Sequence, residues 1–218
     1  FFLRRGFSLG RAYPVRQGEG AILPGIMVVL LVLLLAAPSL LKFSEQGPGS
    51  MRAFWAVSLI AGLAVGIFAQ RSRLCMAGGL RDAFMLRDFK LLSGFLAIWI
   101  TITIGNLILG SYNLSALSQP IAHSQYLWSA LGMAVVGWGS ILLGGCPLRQ
   151  LVLSGEGNTD SAIAVLGLVA GAAFAHNFGL ASSGEGPTAN GKIAVIIGIV
   201  VVALIACFNT FRKENAKA

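Results

Sequence analysis

Six stretches of the chain are apolar over 18 to 22 residues, near 22–43, 53–70, 91–112, 126–145, 161–180 and 193–211. Each is apolar on all sides rather than on one face, as expected of a helix with no aqueous side. A bilayer hydrocarbon core of about 30 Å needs about 20 helical residues, and a backbone in hydrocarbon must satisfy its own hydrogen bonds. The pattern predicts an all-α, polytopic helical membrane bundle. Residues 22–211 form its transmembrane domain of about six spans, between a cytoplasmic N-terminal segment, 1–21, and a cytoplasmic tail, 212–218. The stretch ILPGIMVVLLVLLLAAPSLLKF, 22–43, is the plainest lipid-facing helix. The others carry more Gly, Ala, Ser and Thr, including Gly62/Gly66 and Gly167/Gly171 at GxxxG spacing, which predicts close helix packing.

Composition agrees with the pattern: 56% of residues are hydrophobic, 11% are charged, and the mean hydropathy is +0.80. A net charge of +8 does not point to nucleic acid, because the basic residues lie between apolar runs and form no basic and aromatic stripe. They sort by side instead. Thirteen of the sixteen Lys and Arg fall in the N-terminal segment, the 71–90 and 146–160 connections and the C-terminal tail. Positive loops tend to stay cytoplasmic, so both termini are expected there. The chain begins with Phe1 and its first twenty residues lack the apolar core and cleavage site of a secretory signal, so it reads as a fragment.

Cys75, Cys146 and Cys207 lie far apart with no CxxC pair, which argues against a disulfide framework and against zinc. No cofactor or metal is called for. Two blocks look alike: RSRLCMAGGLRDAFMLRD, 71–88, and GGCPLRQLVLSGEGNTDSA, 144–162, each following a Gly-rich span and preceding another. Aligned on cysteine, Leu80-Arg81 and Leu148-Arg149 are out of step, so the internal repeat is weak by sequence. Gly- or Pro-interrupted segments in corresponding places nevertheless mark transport sites.

In the second block Pro147 suits the first position of a helix, where its missing N–H costs nothing. Gly145 loosens the chain before it, and Cys146 becomes the cap of a short half-helix whose free N–H groups point into one volume. Cys75, followed by Gly78-Gly79, would sit at a similar break. A neutral S–H is a weak donor suited to a polarizable acceptor, whereas a thiolate would repel an anion. The competing reading is that a free cysteine is a small core hydrophobe, which is the assignment for Cys207 in the unbroken run VVVALIACFNTF. Arg149 is the one basic residue between about 91 and 191, and if buried it must be paired or face an anion. Arg81 has two readings, a local pair with Asp82 or a place in the pathway. His176 and Asn177 interrupt an apolar span, as functional groups or as interhelical hydrogen-bond partners. Ser154, Asn158 and Asp160 are weaker candidates, and the loop SSGEGPTANGK, 182–192, is a tight connection without assigned chemistry.

From about Trp55 to the last span, and most specifically at GGCPLRQLVLSGEGNTDSA, AHNFGLASS and GPTANGKIAVIIG, the sequence resembles the YeeE/YedE family of membrane proteins, in particular the branch associated with selenium metabolism. The resemblance implies pseudo-symmetric halves, short helices entering the membrane, and a bacterial inner-membrane permease, not an enzyme. Its cargo would be a small selenium- or sulfur-containing compound, with selenium species ahead of a thiosulfate-like anion. Cys75 and Cys146 match the family's pathway cysteines, with Arg149 orienting an anion and a cytoplasmic sulfur or selenium carrier protein as a candidate partner. The 1–50 region matches nothing in that pattern, and the family usually has more than six spans. No nucleotide-binding loop occurs, so energy would come from a gradient or from downstream trapping. Two other classes compete: a membrane thiol protein moving sulfur or reducing equivalents, and a non-catalytic membrane subunit of a selenium or sulfur pathway.

Overall fold

A computed structural model describes residues 20–40, 53–110, 112 and 123–215 of the chain. Most of the N-terminal segment 1–21 and the last three residues of the tail lie outside them, as do residues 41–52 and 113–122. Among the described residues the chain is all-α, and five helical runs are long and apolar enough to cross a bilayer: Trp55–Met85, Lys90–Ile108, Tyr126–Gly155, Thr159–Asn177 and Ala189–Phe208. The chain is a multi-pass helical membrane protein.

The first expected span differs. Helix α1 covers only Ile22–Ala36, 15 residues, about 22 Å at the helical rise and short of the hydrocarbon thickness. Pro38 ends it, because proline removes an N–H and disfavours helical geometry in the residue before it. Ala37 accordingly leaves the helix at φ −141°, ψ 63°, and a 3₁₀ turn follows at Pro38–Leu40. Apolar composition ran past the point where the backbone could continue.

From Trp55 onward the chain repeats itself element by element. Helix α2, Trp55–Ser72, has 18 residues, α3, Met76–Met85, has 10, and α4, Lys90–Ile108, has 19. Then α5, Tyr126–Leu143, has 18, α6, Pro147–Gly155, has 9, and α7, Thr159–Asn177, has 19. Helix α8, Ala189–Asn215, closes the chain. Cys75 and Cys146, 71 residues apart, hold the same place in each repeat, between a long helix and a short one.

The helix ends before the cysteines are alike in detail. Arg73 and Gly144 both take the left-handed conformation, at φ 51° and 79°. The next amides, Leu74 and Gly145, donate five residues back to the carbonyls of Ala69 and Ser140 at 3.2 and 3.0 Å. This is the Schellman arrangement, in which a left-handed residue lets the following amides satisfy the helix's last carbonyls. Glycine adopts that conformation freely and arginine does not. Arg73→Gly is therefore expected to stabilise the protein by about 0.5–1 kcal/mol and Gly144→Ala to cost about 1–2 kcal/mol, read as opposite shifts in the melting midpoint of the purified protein in detergent.

The described residues form two compact units: the described parts of Cys75–Pro147 and Leu166–Ala218, and those of Ala12–Leu74 and Leu148–Val165. In the first, α3 packs against α4, α5 against α8, and α3 also meets α5. Leu142 and Ala206 form the buried centre of the α5–α8 contact, flanked by Trp138 and Val202. Gly79 makes the α3–α4 approach possible: a Cβ there would lie 3.3 Å from the Leu92 amide nitrogen. The GxxxG glycines do not act this way. Among the described residues a Cβ on Gly62, Gly66, Gly167 or Gly171 would meet nothing within 4 Å, so within its own unit each of these glycines lies on exposed helix surface.

Candidate functional site

The C-terminal end of α5 and the N-terminal end of α3 bring the two repeat cysteines together. Cys75 is the N-cap of α3, extended at φ −150°, ψ 111°, and its sulfur accepts the Gly78 N–H at 3.3 Å. The same sulfur lies 3.5 Å from the backbone nitrogen of Cys146 and accepts its N–H. Both cysteines are buried, at 7% and 8% exposure, and neither forms a disulfide. Cys207 is exposed on α8.

Local chain chemistry sets this geometry. Cysteine can cap a helix through sulfur in the manner of serine, and Gly78 sits where any Cβ would come within 3.3 Å of the Cys75 sulfur. Gly144 and Gly145 end α5 without side chains, and Cys146 then occupies the position before Pro147, the first residue of α6. Beside the pair lies a cavity of about 20 Å³ lined by Ala77, Gly78 and Arg81 of α3 and by Ser140, Ile141, Gly144 and Gly145. That is room for about one water molecule.

The other expected residues fall as follows. Arg81 reaches the cavity wall while its guanidinium pairs with Asp82 at 2.8 Å. Arg149 lies in the first turn of α6 with Nη1 buried and, among the described residues, without a hydrogen-bond partner, an arrangement that costs about 1–3 kcal/mol or more for a charged donor unless something accepts the hydrogen bond. His176 and Asn177 are exposed in the last turn of α7, and the Asn177 amide donates to the Ala173 carbonyl at 2.8 Å. Ser154 donates to the Leu151 carbonyl at 2.7 Å. Asn158 caps α7 by accepting the Ser161 N–H at 3.0 Å, and Asp160 sits in the first turn, where its charge suits the helix dipole.

Sequence reasoning missed Gly78 as the amide donor to Cys75 and Ser140 as a buried wall residue. Spacing held the signal: applying the 71-residue offset of the cysteines puts Ser140 opposite Ala69, both buried at the last turn of a long helix.

Residues 71–211 match the Sulphur transport family. Over 108 residues the chain is 29% identical to the thiosulfate transporter TsuA of Escherichia coli (strain K12), a match covering 49% of this chain and 30% of that protein. The chain thus aligns with less than a third of the relative's length. No solved structure matches it. The matched stretch carries both cysteines, both short helices and the long helices that follow Cys75, and the chain belongs to the sulphur transport (YeeE/YedE) family.

Proposed function

We propose that the chain forms part of an inner-membrane permease that takes up a small sulfur-containing anion, thiosulfate or a close analogue, and passes it along the thiols of Cys75 and Cys146. The observation that carries the reading is the double acceptance at the Cys75 sulfur, from Gly78 at 3.3 Å and from Cys146 at 3.5 Å. With its lone pairs engaged by two amides, the thiol has its proton left to donate, and a polarizable sulfur acceptor suits that weak donor. The neighbouring glycines remove the Cβ atoms that would fence it off. Arg149 supplies a buried N–H, unpartnered among the described residues, on the helix that Cys146 begins. The charge distribution supports cytoplasmic termini.

The test is uptake of labelled thiosulfate by cells lacking their own thiosulfate carriers and expressing the full-length protein, with unlabelled thiosulfate, selenite and a selenide source as competitors. Saturable uptake displaced by unlabelled thiosulfate is expected, while labelled sulfate offered in its place should not accumulate. Displacement by a selenium species at lower concentration would assign the cargo to selenium, and absence of uptake at normal protein level would remove the permease reading.

The approach of the two cysteines also favours a second reading, a thiol protein that moves sulfur through a Cys75–Cys146 disulfide or a persulfide. In such a protein one cysteine thiolate would take the outer sulfur of thiosulfate as a persulfide with release of sulfite, and attack of the second thiol on that persulfide would leave the disulfide and release sulfide, so one of these species would accumulate on exposure to thiosulfate. Mass spectrometry of the alkylated protein is expected to find both thiols free.

A further inference from the structure

A second cavity opens at the other end of α5, about 310 Å³ in volume. It lies within the same compact unit as the cysteines, between the first turns of α5, the start of α8 and the α7–α8 connection. Trp128, Ser129, His123, Ser182 and Lys192 supply its polar wall. Trp128 and Gly144 lie at opposite ends of α5, so at about 1.5 Å per residue the helix separates the cavity from the cysteines by roughly 20 Å.

Resting on the permease reading, we propose that this cavity is the outer docking site of the pathway, where a small divalent sulfur oxyanion such as thiosulfate binds with part of its water shell before reaching the thiols. Lys192 is the central group. Its ammonium lies over the Trp128 ring, 5.5 Å from the centroid, and among the described residues it has no carboxylate partner. It stands in the first turn of α8, the positive end of the helix dipole, where a cation is disfavoured and an anion is welcome. An anion in the cavity relieves both charges at once.

His123 adds a directed donor. Its Nδ1 accepts the Gln125 N–H at 3.2 Å, which leaves the ring proton on Nε2. Volume separates this site from the cysteines. About 310 Å³ holds a five-atom anion and several waters, each occupying about 30 Å³ in the liquid, whereas about 20 Å³ beside Cys75 holds one water. A hydrated site reads charge and not the identity of the terminal atom. It should therefore accept sulfate about as well as thiosulfate, leaving the choice between them to the thiols.

The experiment is a titration of the purified full chain with thiosulfate and with sulfate, followed by tryptophan fluorescence, because an anion that draws the ammonium from the Trp128 ring changes its emission. Both anions are expected to give a saturable change with midpoints within about threefold of each other. The change should vanish in Trp128→Phe, its midpoint should rise at least tenfold in Lys192→Gln, and Lys192→Arg should stay within threefold of the natural protein. Cys75→Ser should titrate like the natural protein. An unshifted midpoint in Lys192→Gln, a response that survives in Trp128→Phe, or one lost in Cys75→Ser each overturns the docking site. Failure of the permease reading shows elsewhere, as absent uptake by the natural protein with this titration intact.

Discussion

Cys75→Ser is expected to lower thiosulfate uptake at least about tenfold at unchanged membrane level, a barrier increase of about 1.4 kcal/mol, while Cys207→Ser leaves uptake as it was. The comparison with Cys75→Ala separates chemistry from folding. Alanine would leave the Gly78 and Cys146 amides, both now bonded to sulfur, without an acceptor in a buried place, at about 1–3 kcal/mol each. It would also strip α3 of its cap. Serine still accepts at the N-cap and is among the preferred caps, so its melting midpoint in detergent should stay close to that of the natural protein. What serine lacks is the soft S–H, and a hydroxyl discriminates less between a terminal sulfur and an oxygen. Cys146→Ser should act in the same direction. Wild-type uptake by Cys75→Ser would reduce the residue to a structural cap and sink the thiol pathway, whereas loss of uptake in alanine alone would assign the whole effect to packing.

The cysteine site was legible because its signals are local. A proline in the residue after Cys146, a glycine pair beside each break, after Cys75 and before Cys146, and a change from apolar to polar sequence are enough to place a short helix there, and the chain bears this out at α3 and α6. The repeat was harder to see. Aligning Leu-Arg pairs suggested a poor match, because Arg81 and Arg149 do not correspond. The correspondence lies in backbone states, where Arg73 and Gly144 do the same work with unlike side chains. Helix length failed at α1 for a comparable reason: hydropathy counts side chains, and Pro38 acts through the backbone.

What sequence could not give was proximity across long separations. Gly62/Gly66 and Gly167/Gly171 carry the packing spacing but lie on exposed helix surface within their own units, while the close contacts are made by Gly79 and Gly191, which carry no such signature. Lys192 ends a loop, 182–192, to which the sequence assigns no chemistry. Its meaning depends on Trp128, sixty-four residues earlier, lying beneath its ammonium, and on His123 lining the same cavity. No pattern within either segment announces that meeting.

Gly191→Ala is expected to be among the most damaging single changes outside the cysteine site, costing at least about 3 kcal/mol from lost capping and overpacking together and sharply reducing accumulation in the membrane. A Cβ there would lie 2.6 Å from the Leu180 carbonyl oxygen and 2.9 Å from the Thr188 hydroxyl. The first is backbone and cannot turn aside. Thr188 is itself committed, donating to the Gly179 carbonyl at 2.7 Å and accepting the Gly191 N–H at 2.9 Å as the cap of α8, while the Asn190 amide donates to the Phe178 carbonyl at 3.2 Å. These bonds pin the end of α7 to the start of α8 and so hold Leu180 and Lys192 on one cavity wall. Gly198→Ala on the same helix is the control, since its Cβ would meet Val135 at an ordinary 3.5 Å and should change little. If Gly191→Ala accumulates and melts in detergent as the natural protein does, the close approach of the two helix ends is absent. The cavity that positions Lys192 over Trp128 then loses its wall, and with it the physical basis for an anion site at that end of α5.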